Sequence, residues 1–433
     1  MRSVNWKSRS VTFLACVFPA ACLLATSWFT PAVVEAQQPA AVTVFEGARL
    51  IAGDGSAPVT DSAFVVENGH FTAVGRKGQL KIPAGAARVD LTGKTVMPAI
   101  VDAHKHLAVT RDALVDQLQH LAYYGVGAAM SLGQDTGDVA FQVRGETIPN
   151  AARLRTAGRG LTGPEPGRTQ APFWVTSEGE VRKDVQEMAA KKVDIIKIWV
   201  DDRDHTVTKL SPELYRAAID EAHKHNLRVI AHIFTLEDAK GVLRAGVDAF
   251  AHSVRDKDID DEFIKMMKAR PNMIVDPNLP DRGVKVDRSW LRESMTAEEF
   301  QKLQAESKDD PKARDFFGIQ SRNLAKLNAA GIKIALGTDG PIPWAAHEEM
   351  ADMVASGMTP AQVLVAATRN AAELMKLTDA GTVAARKSAD FLVLDANPLD
   401  DITNTRRIAA VYLRGSQLDR AALRARWTGG ASR

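Results

Sequence analysis

Four histidines, one lysine and one aspartate stand at the ends of short apolar runs. His104 and His106 close MPAIVDAHKH, Lys197 lies in DIIKIWV, His232 in RVIAHI, His252 in DAFAHS, and Asp339 closes KIALGTD. Imidazole nitrogen and carboxylate oxygen without sulfur suit a divalent metal, zinc first, with manganese, cobalt and iron in the same range. His104 and His106 are two apart, so on a strand both rings share one face and Lys105 takes the other. Asp102, just before them, is a carboxylate able to orient an imidazole. Packing explains any one of these histidines as well as a metal does. Four of the chain's 10 histidines at such positions are harder to explain that way.

Lys197 is the sharpest of the six. An ammonium in a strand otherwise fit for burial must find a partner or lose its charge. A buried pair with a carboxylate such as Asp339 is one solution. Reaction of the neutral amine with CO₂ is another, giving a carbamate anion able to bridge two metal ions. Two such ions lie ~3.5–4 Å apart and bring the pKa of water from 15.7 toward ~7, which makes hydroxide available at neutral pH.

The elements that must position these groups alternate along the middle of the chain. Eight candidate strands fall at 96–101, 126–132, 153–158, 195–200, 228–233, 249–253, 273–277 and 333–338. Helices between them include 211–226, opened by Ser211 and Pro212, and a stretch from Thr359 to about Leu377 opened by a Thr-Pro-Ala-Gln capping box. This predicts an α/β fold, a (β/α)₈ TIM barrel over residues 98–377. Active groups at the C-terminal strand ends are what such a barrel requires. A doubly wound open sheet is the alternative. The flanks at 37–97 and 378–433 read as short strands and turns, and predict one small β-sandwich domain assembled from both chain ends. A charged insert at 279–315 predicts one or two exposed helices at the barrel mouth.

Composition narrows the partners. With 55 basic and 53 acidic residues the formal charge is +2, which gives no reason to expect nucleic acid. Residues 1–36 read as a signal peptide: Arg2, Lys7 and Arg9 precede an apolar stretch, and Val34-Glu35-Ala36 offers a cleavage site before Gln37. Pro19 and Pro31 interrupt what would otherwise be a membrane anchor. The expectation is a secreted or periplasmic protein, off the membrane after cleavage, acting on a small-molecule substrate; homo-oligomerisation stays open. Both cysteines, Cys16 and Cys22, fall in this leader, which leaves the remainder without thiolate chemistry.

Taken together, these motifs resemble the amidohydrolase superfamily, and are similar to its prolidase-like and imidazolonepropionase-related members. The resemblance rests on MPAIVDAHKH, DIIKI, IAHI, AHS, GTDG, the stretch HEEMADMVASGMTPAQVLVAATRNAAELM and the closing KSADFLVLDANPLDDI. Ala99 departs from the family's usual glycine, at a turn. The resemblance implies two divalent metal ions, the first held by His104, His106 and Asp339, the second by His232 and His252, with carboxylated Lys197 between them. It implies hydrolysis of an amide or peptide-like C–N bond by metal-activated hydroxide, with Asp339 shuttling the proton. Lactone, ester or phosphotriester hydrolysis is the alternative on the same site, and a non-catalytic metal-binding protein the remote one. Deaminase relatives usually carry a glutamate three residues after the strand-five histidine, where this chain has Thr235. For substrate contacts the candidates are His347, Arg159, Arg255 and Trp199, with Trp344 as a further pocket wall.

Overall fold

A computed structural model of the chain describes residues 42–429. The predicted leader and both cysteines lie outside the described residues. Eight parallel strands are present, all but the first where the apolar runs predict them: β1 (Ile100–Lys105), β2 (Val126–Ser131), β3 (Arg153–Thr156), β4 (Ile196–Val200), β5 (Val229–Ile233), β6 (Ala249–Ala251), β7 (Ile274–Asp276) and β8 (Lys333–Ile334). Strands β1 to β3 form one sheet. Strands β4 to β8 form another, with two short strands at Leu161–Thr162 and Phe173–Trp174. Backbone bonds join the two sheets at both edges: the Asp194 amide donates to the Thr156 carbonyl at 3.0 Å, and the Ala103 amide to that of Leu336 at 2.9 Å. This is a TIM-barrel-type α/β fold, and the strands' near-continuous burial follows from helices covering them.

The first strand begins later than expected. Residues 96–101 read as one apolar run, yet Thr95–Pro98 pairs antiparallel with Phe391–Leu394, and the barrel strand starts at Ile100. The chain changes sheets at Pro98-Ala99. Pro98 has no amide hydrogen, the Ala99 amide donates to Asp390, and that of Ile100 donates to Gly125. The methyl of Ala99 is accommodated because residue 127 is glycine; a Cβ there would lie 2.8 Å from it.

Two further sheets lie outside the barrel, the second of them built from both ends of the described chain. One holds Thr43–Glu46, Ser62–Glu67, His70–Arg76 and Ala87–Asp90; the other places Phe391–Leu394 between Thr95–Pro98 and Ile408–Leu413. Phe45, Phe64, Phe71, Phe391 and Tyr412 pack together, with Phe45 stacked on Phe64 at 5.0 Å and Phe391 on Tyr412 at 4.5 Å.

Helix starts largely follow the sequence. Thr359 and Gln362 form the expected capping box, and the helix opened there passes through a π-turn at Ala366–Asn370 before ending at Leu374. Ser211 occupies the cap of Pro212–Lys224, but its hydroxyl makes no capping bond. In the charged insert, a 3₁₀ turn (Ser289–Ser294) leads to helix Ala297–Glu306, capped by Thr296 and Glu299. Helix Pro311–Ala329 then returns the chain to β8. No helix among the described residues is long and apolar enough to cross a membrane.

Candidate metal centre

The strand ends bring the six predicted groups to one end of the barrel. His104 Nε2 lies 3.4 Å and His106 Nε2 2.9 Å from Asp339 Oδ1, and His252 Nε2 lies 3.6 Å from Asp339 Oδ2. The ring centroids of His104 and His252 are 5.2 Å apart, and those of His232 and His252 4.4 Å apart. His104, His106 and Asp339 each offer a ligand atom within 4.8 Å of the others.

At His104 the protonation pattern leaves the inward lone pair free. The Asn278 amide nitrogen donates to Asp276 Oδ1 at 3.1 Å, so its Oδ1 faces His104 Nδ1 at 2.9 Å and must accept from it. That fixes the proton on Nδ1 and leaves Nε2 bare and without a hydrogen-bond partner among the described residues. Burial holds the His104 and His252 rings well below the ordinary histidine range, helped by the charges of Lys197 and Arg255 respectively. His232 is pushed down to about 3, again by burial first. Burial alone would raise Asp339, but His104, His106 and His252 around it hold its carboxyl far below the usual range.

Lys197 is fully buried beneath this cluster, its Nζ without a hydrogen-bond partner among the described residues and 5.1 Å over the Trp199 ring. Burial pushes its pKa down to about 7, and the carboxylates of Asp339 and Asp276 oppose that. His104 Nε2, Lys197 Nζ and Asp276 Oδ2 are buried and unpartnered among the described residues, close to the carboxylate of Asp339. The donor set fits divalent cations.

Residues 95–418 match the sequence profile described as the amidohydrolase family. The chain belongs to the amidohydrolase family. It is a hydrolase acting on carbon–nitrogen bonds, in a family that generally uses divalent metals. An ochratoxinase of Aspergillus niger is 25% identical to it, over 86% of this chain and 85% of that one. An imidazolonepropionase of Deinococcus radiodurans is 26% identical, over 83% and 92%. Among solved structures, a Xaa-Pro dipeptidase with bound methionine in the active site superimposes with a TM-score of 0.70 at 21% identity, over 87% of this chain and 99% of that one. This last likeness is one of fold.

The amidohydrolase site contains groups the motifs did not reveal. Asp201 Oδ2 lies 3.0 Å from His232 Nε2 and accepts from Arg203 at 2.6 Å. Asp276 and Asn278 stand behind His104. All three sit at or just past the end of an apolar run, the same signal that marked the six. Asp102 does not touch an imidazole; its Oδ1 accepts from the His104 backbone amide at 3.2 Å.

The candidate substrate residues fare differently. His347 corrects the expectation of a contact at the mouth. It is buried on the inner face of helix Ala345–Ala355, with Nδ1 on Thr405 Oγ1 at 3.0 Å and Nε2 on the Tyr124 carbonyl at 2.8 Å. Neither nitrogen is left for a substrate. Arg159 stacks on Phe173 at 3.9 Å and donates to the carbonyls of Gln170, Ala171 and Pro172, so it holds that segment. Trp199 is buried against Gly133 and Gly160, where a Cβ would come within 2.6 and 2.4 Å of its ring, and walls off Lys197 rather than an open pocket. Trp344 packs beside Tyr124 at 5.9 Å. Arg255 does reach the centre: its Nη2 is 2.5 Å from His252 Nδ1, and no carboxylate among the described residues pairs with it.

Proposed function

We propose that this chain is an exported binuclear metal-dependent amidohydrolase that cleaves an amide or peptide-like C–N bond in N-acyl amino acids or dipeptides. The observation that carries the reading is Lys197, an unpartnered, fully buried amine whose charge is felt by His104 and His232 and opposed by the carboxylates of Asp339 and Asp276. In this reading His104, His106 and Asp339 hold one ion, zinc by donor preference, and His232 and His252 the other. Lys197, once carboxylated by CO₂, would supply an anionic ligand to such ions. When bound, such ions polarise the scissile carbonyl and lower the pKa of water.

The chain's own residues supply the rest. Asp339, kept ionised and bonded to His106, accepts a proton and returns it to the leaving nitrogen. Asn278 and Asp276 hold the His104 ring so that Nε2 faces inward. Arg255, a cation without a carboxylate partner, receives the substrate carboxylate. The barrel at 98–377 is the catalytic domain, and the two terminal sheets form a β-sandwich domain that braces it. Relatives named ochratoxinase and imidazolonepropionase support the class of bond.

The test is hydrolysis by the zinc-loaded protein of a panel of N-acyl amino acids, dipeptides, lactones and phosphotriesters. Turnover of the first two classes is expected. Turnover confined to lactones or phosphotriesters would replace the amide reading.

A further inference from the structure

Lys105 separates the two strand-end histidines, and its side chain leaves the strand on the opposite face from theirs. It is nevertheless completely buried. Its Nζ donates to Thr338 Oγ1 at 2.9 Å and to the Ile342 carbonyl at 2.9 Å, and lies 3.7 Å from Asp102 Oδ2. Thr338 passes the connection on, donating its hydroxyl hydrogen to Asp102 Oδ2 at 2.8 Å. One ammonium therefore grips the chain on both sides of Asp339, immediately before it and three residues after it.

That segment needs an external anchor. It reads Thr-Asp-Gly-Pro-Ile-Pro over 338–343, so two of its six residues have no amide hydrogen and it is poorly supplied with donors of its own. Asp339 itself has φ of 47°, left-handed backbone that a non-glycine residue keeps only where its surroundings impose it. The surroundings here are few and specific. The amides of Thr338 and Asp339 both donate to the His104 carbonyl, at 3.1 and 2.8 Å, and Lys105 holds the flanks. Ile342 shows its side chain to solvent, 47% exposed, so the segment gains little from apolar packing there.

We propose that Lys105 is a positioning residue: it clamps the 338–342 segment onto β1 and thereby fixes where the Asp339 carboxylate stands relative to His104 and His106. The consequence for turnover rests on the proposed role of Asp339; the consequence for the backbone does not. Lys105→Met removes the clamp, and Thr338→Val removes the hydroxyl that links Lys105 to Asp102. Thr338→Ser keeps that hydroxyl.

The experiment is amide hydrogen exchange across residues 336–346 of the full chain, without metal and with zinc, beside kcat and KM on whichever substrate the wild type turns over. Lys105→Met is expected to speed exchange at Thr338 and Asp339, whose amides donate to the His104 carbonyl, at least 10-fold, with the rest of the barrel unchanged. It is also expected to lower kcat about 10–100-fold while KM moves little, as a misplaced reacting group does. Thr338→Val should move in the same direction, and Thr338→Ser should restore protection. Wild-type exchange in a folded Lys105→Met protein would overturn the clamp, as would faster exchange spread evenly over the barrel. If Lys105→Met does not fold, Thr338→Val decides, and its unchanged exchange overturns the proposal. Exchange needs no substrate, so lost protection in a protein that hydrolyses nothing on the panel supports the clamp and counts against the proposed function alone.

Discussion

Two buried histidines, His104 and His347, follow opposite rules. His347 has both ring nitrogens bonded, to Thr405 and to the Tyr124 carbonyl, and Trp290 closes over it edge-on with ring centroids 5.5 Å apart. His104 is as deeply buried, yet only its Nδ1 is bonded, and its bare Nε2 faces Asp339 among other groups in the same state. A satisfied polar group in a core stabilises one arrangement of the chain. A cluster of unsatisfied ones, arranged by neighbours that are themselves satisfied, is a place prepared for a cation. The lesson is that burial of a histidine says little, and the state of its second nitrogen says a great deal.

Changes on the metal side should alter metal content and activity while leaving the fold, and changes around His347 should do the reverse. The largest effect is expected for Lys197→Ala. It should weaken metal binding more than 100-fold and remove turnover with it, beyond the ~10–100-fold typical of groups that only support a ligand. Metal analysis after dialysis, with activity measured in parallel, checks this; full metal content and full turnover would break the assignment. Asn278→Ala should fall within that ~10–100-fold range in metal affinity, because His104 loses the partner that fixes its proton on Nδ1. Titration with zinc against a competing chelator reads the difference.

The smallest effect concerns pH and belongs to His347. Burial pushes its pKa down to about 4, against an ordinary 6.5. Between those values the unfolded chain binds the proton that the folded one refuses, so stability rises with pH and is lost as pH falls through this window. The loss from pH 7 to pH 5 comes to about 2 kcal/mol. Urea melts at the two pH values should show a smaller difference in His347→Gln than in wild type. An equal difference would show that this ring is no part of the acid response.

Much of the site was legible in the chain because its chemistry sits where apolar runs end. A run that ends in His, Lys or Asp announces a group carried to the rim of a sheet, and β1, β4, β5 and β6 deliver theirs as read. Asp201, Asp276 and Asn278 carry the same signal, but their worth depends on an imidazole from another strand, which the sequence alone does not display. His347 failed for a local reason: eight residues past Asp339 measures distance along a chain that turns at once into helix Ala345–Ala355, whose inner face carries the ring down into packing. The shift of the first barrel strand from 96 to 100 was hidden because both halves of that run are apolar. Only pairing distinguishes them, and pairing lies far away in sequence.

Phe391 sets the order in which the molecule can be completed. The aromatic face made by Phe45, Phe64 and Phe71 belongs to the first part of the described chain, yet the ring that fills its centre arrives only when residues near 391 have been synthesised. Until then those rings stay open to water and to other chains. The barrel lies between the two contributions, so its strands are synthesised while the terminal sheets are still unfinished. A nascent or truncated chain lacking its last forty or so residues would expose a sticky aromatic surface, and its fate would be set by aggregation and proteolysis before any question of catalysis arose.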